Sequence, residues 1–293
     1  MRKWEYVINI KEQGKSLEQV LKAAGFSKKE ISRQKFIPGG ILLDGKPCRT
    51  TAIVKAGQKA EITLREKGAA IIPPAGNLPG LSVCYEDQDL LIADKPPGLS
   101  CHPGKGHYRD NLGAQVTAWC RDKGEDFPIR QIGRLDKDTS GLVVFAKNQI
   151  AAARLWKQRE EGSFKKIYQA LVCGRLQPAE GVIDLPLRRM PGEKNKMCAA
   201  PDGKRAVTFY RVQKEEIWEG TEVSFVECRL ETGRTHQIRV HMAALGHPLV
   251  GDCIYGAGER GERLCLHAAR LTLVQPFTEK IINIDISKKG IPF

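Results

Sequence analysis

The sequence predicts an α+β protein in two unequal parts: a large domain on a mixed, largely antiparallel sheet flanked by helices, and a small α+β module ahead of it. Three observations predict this. Segments with strand character ("LVVFA", "KIYQALVCG", "EVSFVECRLET") and helical segments ("QIAAARLWKQREE", "HQIRVHMAALG") follow one another in no regular order, which excludes the strand–helix alternation of a doubly wound sheet. Residues 67 to 80, "KGAAIIPPAGNLPG", are rich in Pro, Gly and Ala and read as an interdomain linker. Charge is divided unevenly: of a net +13 over 293 residues, residues 1 to 66 hold 14 Lys and Arg against 7 Asp and Glu, a net of +7. The expected division is residues 1–66, a linker at 67–80 and a large domain at 81–293.

In the small module, "SLEQVLKAA" pairs Ser16 with Gln19 as a capping box, and Gly25 is a helix stop. "SKKEISRQKF" repeats the signal with Ser27 and Glu30, and Pro38 in "FIPGG" leaves the end of that second helix open. Asp44-Gly45 in "ILLDGKPC" predicts a tight hairpin turn, and "KAEITL" a final strand. In the large domain, Tyr168 falls on a strand with Ala170 and Val172 on the same face.

Hydrophobic residues make up 41% of the chain, enough for a real core, and no apolar run reaches the length of a membrane span. Residues 1 to 13 lack the apolar core of a signal peptide, so the cytoplasm is the expected address. The nine cysteines are scattered without a C-x-x-C pair, which fits buried thiols in a reducing compartment better than zinc or redox motifs. A pI near 9.3 favours a polyanionic partner.

Residues 133 to 148, "GRLDKDTSGLVVFAKN", set Arg134, Asp136, Lys137 and Asp138 at the edge of an apolar strand. Charge at such a place is costly unless it is paired or used. The segment lacks the G-x-S-x-G nucleophile elbow, and Ser140 has no histidine near it in sequence. "GLSCHPGKG" has the wrong glycine spacing for a phosphate loop, and Lys105 is followed by Gly106 instead of Ser or Thr. His236, His241 and His247 are spaced by five and six, which does not fit a metal-binding helix, so no metal is expected. Asp136 remains as a candidate nucleophile or base. On these residues alone, a structural ion pair accounts for it at least as well, and Asp138 reads as structural or solvated.

Five ordered segments carry a resemblance. "YEDQDLLIADKPPGLSCHP" (85–103), "GRLDKDTSGL", "KKIYQALVCG" (165–174), "TGRTHQIRVHMAALGHPLVGDCIYG" (232–256) and "LCLHAARL" (264–271) together resemble the RluA-like family of RNA pseudouridine synthases over residues 81–293. Gly133 departs from the histidine often found before "RLD" in that family. The resemblance implies that Asp136 is the catalytic carboxylate, which attacks ribose C1′ or takes the C2′ proton. It implies that Arg234 pairs with Asp136, and that Tyr168 stacks on the target base and also handles a proton. It implies that Arg134 and Leu266 bind the flipped nucleotide, and that no cofactor is needed because the base never leaves the site. His102, His236 and His267 are expected to be structural. The small module resembles the RNA-binding module named from ribosomal protein "S four", with Arg33, Lys35 and Lys46 as RNA contacts. The implied enzyme is a cytoplasmic monomer, with large-subunit ribosomal RNA favoured over transfer RNA as partner and no membrane role. The rival is a non-catalytic RNA-binding or ribosome-assembly protein on the same fold.

Overall fold

The structure, a computed structural model, describes residues 2–64, 80–104, 110–125, 128–193, 195–256, 258 and 263–290. The linker expected at 67–80 lies, except for Gly80, outside the described residues. So do Lys105 and Gly106 of the rejected phosphate loop.

The small module comprises β1 (Arg2–Val7), α1 (Leu17–Ala23), α2 (Lys28–Lys35), β2 (Ile41–Leu43), β3 (Lys46–Pro47) and β4 (Lys59–Leu64). Both capping boxes form: Ser16 N–H donates to Gln19 Oε1 at 2.8 Å, and Ser27 N–H to Glu30 Oε2 at 2.6 Å. Helix α2 ends at Lys35, ahead of Pro38, because the residue before a proline is driven out of the helical region and the ring cannot continue the hydrogen-bond ladder. Asp44 and Gly45 take φ of 50° and 74°, the paired left-handed conformation of a two-residue hairpin. The sheet runs β1-β4-β2-β3. Strand β1 is an element the sequence reading missed. Its signal was the alternation in "KWEY", where Trp4 is buried and Lys3 and Glu5 face solvent.

The large domain comprises β5 (Ser82–Glu86), β6 (Leu90–Lys95), α3 (Leu112–Asp122), β7 (Arg130–Ile132), β8 (Ser140–Ala146), α4 (Gln149–Glu161), β9 (Lys165–Cys173), β10 (Glu180–Asp184), β11 (Leu187–Arg189), β12 (Met197–Ala199), β13 (Val207–Trp218), β14 (Thr221–Leu230), α5 (Gln237–Ala244), β15 (Leu266–Val274), β16 (Ile281–Asp285) and α6 (Ser287–Gly290). Its main sheet runs β10-β13-β14-β9-β15-β8-β6-β5, with β16 beside β15 and β7 beside β8. Every pairing in it is antiparallel except β15 with β8. The mixed, largely antiparallel α+β sheet expected from the sequence is therefore the fold.

The apolar run in β8 is continuous because both faces of the sheet are covered. Val143 and Phe145 pack toward α3 and α5, against Leu112, Val116 and Met242. Leu142, Val144 and Ala146 pack on the opposite face toward α4, against Ala151 and Leu155. Helix α4 also joins the two parts of the protein. Its Ile150 is buried in the small module's core, and its Arg154 Nε donates to Ala24 O at 2.9 Å.

At the parallel β8–β15 seam, Ser140 Oγ and His267 Nδ1 lie 2.8 Å apart, with the two residues 3% and 2% exposed. This is the spatial partner that sequence distance concealed, and its burial makes it a strand tie, not a nucleophile pair. Burial, with Arg263 adding to it, lowers the His267 pKa to about 4. Folded protein thus keeps the imidazole neutral while unfolded chain takes a proton near pH 6.5. Stability is expected to fall as pH drops from about 6.5 to 4, by about 3 kcal/mol from this group. Urea melts at pH 7 and 4.5 should show a smaller acid loss for His267→Gln, and an equal loss would exonerate this imidazole.

Candidate active site

A cavity of about 340 Å³ opens where the 133–139 loop, the start of β9, the 231–236 loop and the first residue of β15 meet. Arg134, Asp136, Tyr168, Arg234 and Leu266 all line it, although 132 residues separate the first from the last. Helix α4 contributes Trp156 and Arg159, and β9 adds Lys166.

Asp136 is half-buried, in a loop held from behind. Lys95, with no exposed surface, donates from Nζ to Pro96 O and Leu99 O at 2.8 Å and to Lys137 O at 2.7 Å. One ammonium thus saturates three carbonyls from two loops, and burial lowers its pKa to about 8. Cys101 Sγ adds a contact at 3.3 Å to Leu135 O. The sequence reading missed Lys95, because nothing local distinguishes it from a solvated strand-end lysine.

Tyr168 and Leu266 lie on neighbouring strands in the same core cluster, with Leu266 opposite Ala170 in the β9–β15 ladder. Burial raises the Tyr168 pKa well above that of an ordinary phenol, against the opposing charge of Arg159. At neutral pH the group is therefore a ring face with a protonated hydroxyl, suited to stacking and unsuited to act as a base.

Arg234 departs from expectation. It is exposed, its Nε donates to Arg205 O at 2.9 Å, and no ion pair joins it to Asp136 among the described residues. The N-cap position of α5 is held by His236 at φ 56° without a side-chain cap. The loop is shaped instead by the buried Gln237. Its Oε1 accepts from Arg234 N–H and Thr232 Oγ1 at 2.9 Å, while its Nε2 donates to Val207 O and Thr208 Oγ1 at 3.0 Å. Gln237 thus holds the Arg234 backbone, while the Arg205 carbonyl takes its side chain.

Arg239, five positions beyond Arg234, also lines the cavity, where its charge and that of Asp136 attract. It is 2% exposed and grips Asp252 through two bonds of 2.7 Å. Burial opposes its charge, but Asp252 and, across the cavity, Asp136 hold its proton more tightly. Asp252 is in turn held low, since Arg239 and the Ile254 and Tyr255 backbone N–H groups outweigh its burial. Arg239 was legible in "RTHQIRVH" as a second arginine, but a sequence does not say which of two faces a carboxylate.

His236 also lines the cavity, with Nδ1 2.8 Å from Tyr255 Oη, and burial lowers its pKa despite Asp136. His241 lies 2.9 Å from Thr208 Oγ1, and His247 2.8 Å from Cys173 O. The three histidines thus serve three separate partners. Glu86, Cys120 and Glu125 approach one another closely enough for a metal, but Lys147 Nζ donates to both carboxylates, at 2.7 and 2.8 Å.

Gly133 stands at φ 75°, and a Cβ there would lie 1.8 Å from Arg159 Nη1. The positive φ, which L side chains rarely adopt, accounts physically for glycine ahead of "RLD", and the flexible end of Arg159 fills the space beside it.

Residues 89–244 match the model of the RNA pseudouridylate synthase family. The chain is 37% identical over 280 residues to "Uncharacterized RNA pseudouridine synthase YhcT" of Bacillus subtilis, covering 95% of this chain and 91% of that protein. It is 39% identical over 231 residues to "Ribosomal large subunit pseudouridine synthase D" of Zymomonas mobilis, covering 72% and 71%. Among solved structures it is similar to "Human RNA Pseudouridylate Synthase Domain Containing 1", with a TM-score of 0.60 and 30% identity over 72% of this chain and 84% of that one. A chain with these relatives, and with Asp136, Tyr168 and Leu266 around one cavity, belongs to the RNA pseudouridylate synthase family, in its RluA-like branch, and is an isomerase that forms pseudouridine in RNA.

Proposed function

We propose that the enzyme isomerises uridine in large-subunit ribosomal RNA, in the cytoplasm and as a monomer, with Asp136 as the catalytic carboxylate. The observation that carries this reading is the convergence of Asp136, Tyr168 and Leu266 on a single cavity. A uridine turned out of its helix enters that cavity, because the glycosidic bond is poorly reached inside a stack. Tyr168 stacks on the uracil and Leu266 packs against it. Asp136 attacks C1′ or removes the C2′ proton, and the C1′–N1 bond breaks. The base then turns and rejoins C1′ through C5, which displaces the Asp136 carboxylate or is accompanied by return of the C2′ proton, while the C5 proton passes to solvent and N1 gains one. Arg239 counters the charge of Asp136, and Arg134 and Arg234, both exposed at the rim, engage the RNA strand.

The ribosomal target is supported by the name of the Zymomonas relative. The monomer is supported by one chain supplying every wall of the cavity. All nine cysteines are free thiols, which suits the cytoplasm. The small module serves as the S-four-like RNA-binding part. Its Arg33, Lys35 and Lys46 are exposed, and Phe36 beside them is 85% exposed, an arrangement suited to phosphates and bases.

Mapping pseudouridines in cells with and without the protein tests the reading. Loss of sites from large-subunit ribosomal RNA, restored by the wild-type chain and poorly by an Arg33/Lys35/Lys46→Gln variant, is the expected outcome. Sites lost only from transfer RNA would overturn the target. Full restoration by the triple variant would remove those side chains from RNA binding.

A further inference from the structure

Two cations in the cavity have no carboxylate partner among the described residues. Arg159 comes from α4 and Lys166 from β9, and both line the cavity beside Tyr168. Among the described residues neither forms an ion pair with an acid. The cavity's own carboxylates are Asp136, which attracts Arg239, and Glu231, which pairs with Arg205 at 2.6 Å. Both are half-buried, and unpaired cations partly removed from water are costly and persist where an anion is to meet them.

The guanidinium of Arg159 is also placed with care. Its Cζ lies 5.0 Å from the Trp156 ring centroid and 5.7 Å from that of Phe164, so two aromatic faces hold the plane. Its Nη atoms reach into the gap between the two loops of the site, where a Cβ on Gly133 would lie 1.8 Å from Nη1 and one on Gly233 3.4 Å from Nη2. Glycine on both sides leaves room for the guanidinium and for a ligand's close approach. Burial, reinforced by Arg159, lowers the Lys166 pKa to about 7, so the second cation is poised to gain charge beside an anion.

We infer that Arg159, with Lys166 beside it, is a phosphate clamp that grips the RNA backbone next to the uridine in the cavity. The inference rests on the synthase reading for the identity of the polyanion. A planar, aromatic-stacked guanidinium suits a phosphate, which accepts two parallel N–H bonds. Because α4 also carries Ile150 and Arg154 into the small module, one helix connects the clamp to that module.

The test uses the full-length chain and a fluorescent ten-nucleotide uridine RNA, with binding followed from 50 to 200 mM salt. Each phosphate contact on a single strand contributes roughly −0.7 to the slope of log K against log salt. Arg159→Gln should flatten the slope by about 0.7, so that the fourfold rise in salt costs it about 2.6-fold less affinity than it costs wild type. Gly133→Ala, which drives the guanidinium out without removing its charge, should weaken binding in the same direction. Thermal melts establish that each variant is folded. A folded Arg159→Gln protein with the wild-type slope overturns the clamp. Pseudouridine formation by wild type on a large-subunit ribosomal RNA transcript is measured in parallel. Formation with an unaltered Arg159→Gln slope removes the clamp and leaves the synthase reading. A flattened slope without any formation keeps the clamp as an RNA contact and removes that reading.

Discussion

Asp136→Asn is expected to bind RNA as wild type does and to form essentially no pseudouridine. Asparagine preserves the shape and volume of a half-buried side chain, so the loop held by Lys95 and Cys101 should keep its path. What disappears is the negative charge and the basicity, and either route requires both: an amide neither attacks C1′ nor takes a proton from C2′. A positioned acid–base or nucleophilic group contributes up to about 10⁴-fold, and the loss should reach at least that size. Tritium release from C5-labelled uridine RNA under single-turnover conditions measures the rate, and titration of the same RNA measures binding. Multiple turnovers by this variant would remove Asp136 from the chemistry and restore the non-catalytic RNA-binding reading.

Arg239→Met should be the most destabilising substitution near the site. It leaves the Asp252 carboxylate, 0% exposed as a side chain, without its cation. Removing one partner of a buried pair costs about 3–5 kcal/mol, because the other charge stays buried. Adding Asp252→Asn neutralises that charge while keeping an acceptor for the Ile254 and Tyr255 N–H groups, now bonded at 2.9 and 3.1 Å. The double variant should therefore recover most of the lost stability in urea melts and remain inactive, since the buried Arg239 charge that attracts Asp136 is then gone. Recovery of activity together with stability would make Arg239 a purely structural residue.

Much of this protein is written locally. The capping boxes at Ser16 and Ser27 depend on residues three apart. The Asp44-Gly45 turn depends on two neighbours, and the run Leu142–Ala146 declares a doubly covered strand by its composition alone. The five motifs likewise gathered Asp136, Tyr168 and Leu266 before any coordinates placed them. Strand β1 escaped because its apolar side chains, Trp4 and Tyr6, alternate with charges over a few residues next to the chain start, too short a pattern to stand out from a solvated segment.

The charges behaved differently. A sequence states that Lys95, Arg159, Lys166, Arg234 and Arg239 are present, but a charge is defined by what faces it, and that is set by strands and loops far apart in the chain. Gln237 holds the Arg234 backbone and Arg205 its side chain, the 13-residue excursion to Asp252 fixes Arg239, and two glycines 100 positions apart leave the gap that Arg159 enters. Periodicity and capping are short-range and determine the elements, whereas Coulomb and desolvation energies depend on distances across the sheet, so the partner of each buried charge was decided only when β8, β9, β14 and β15 came together.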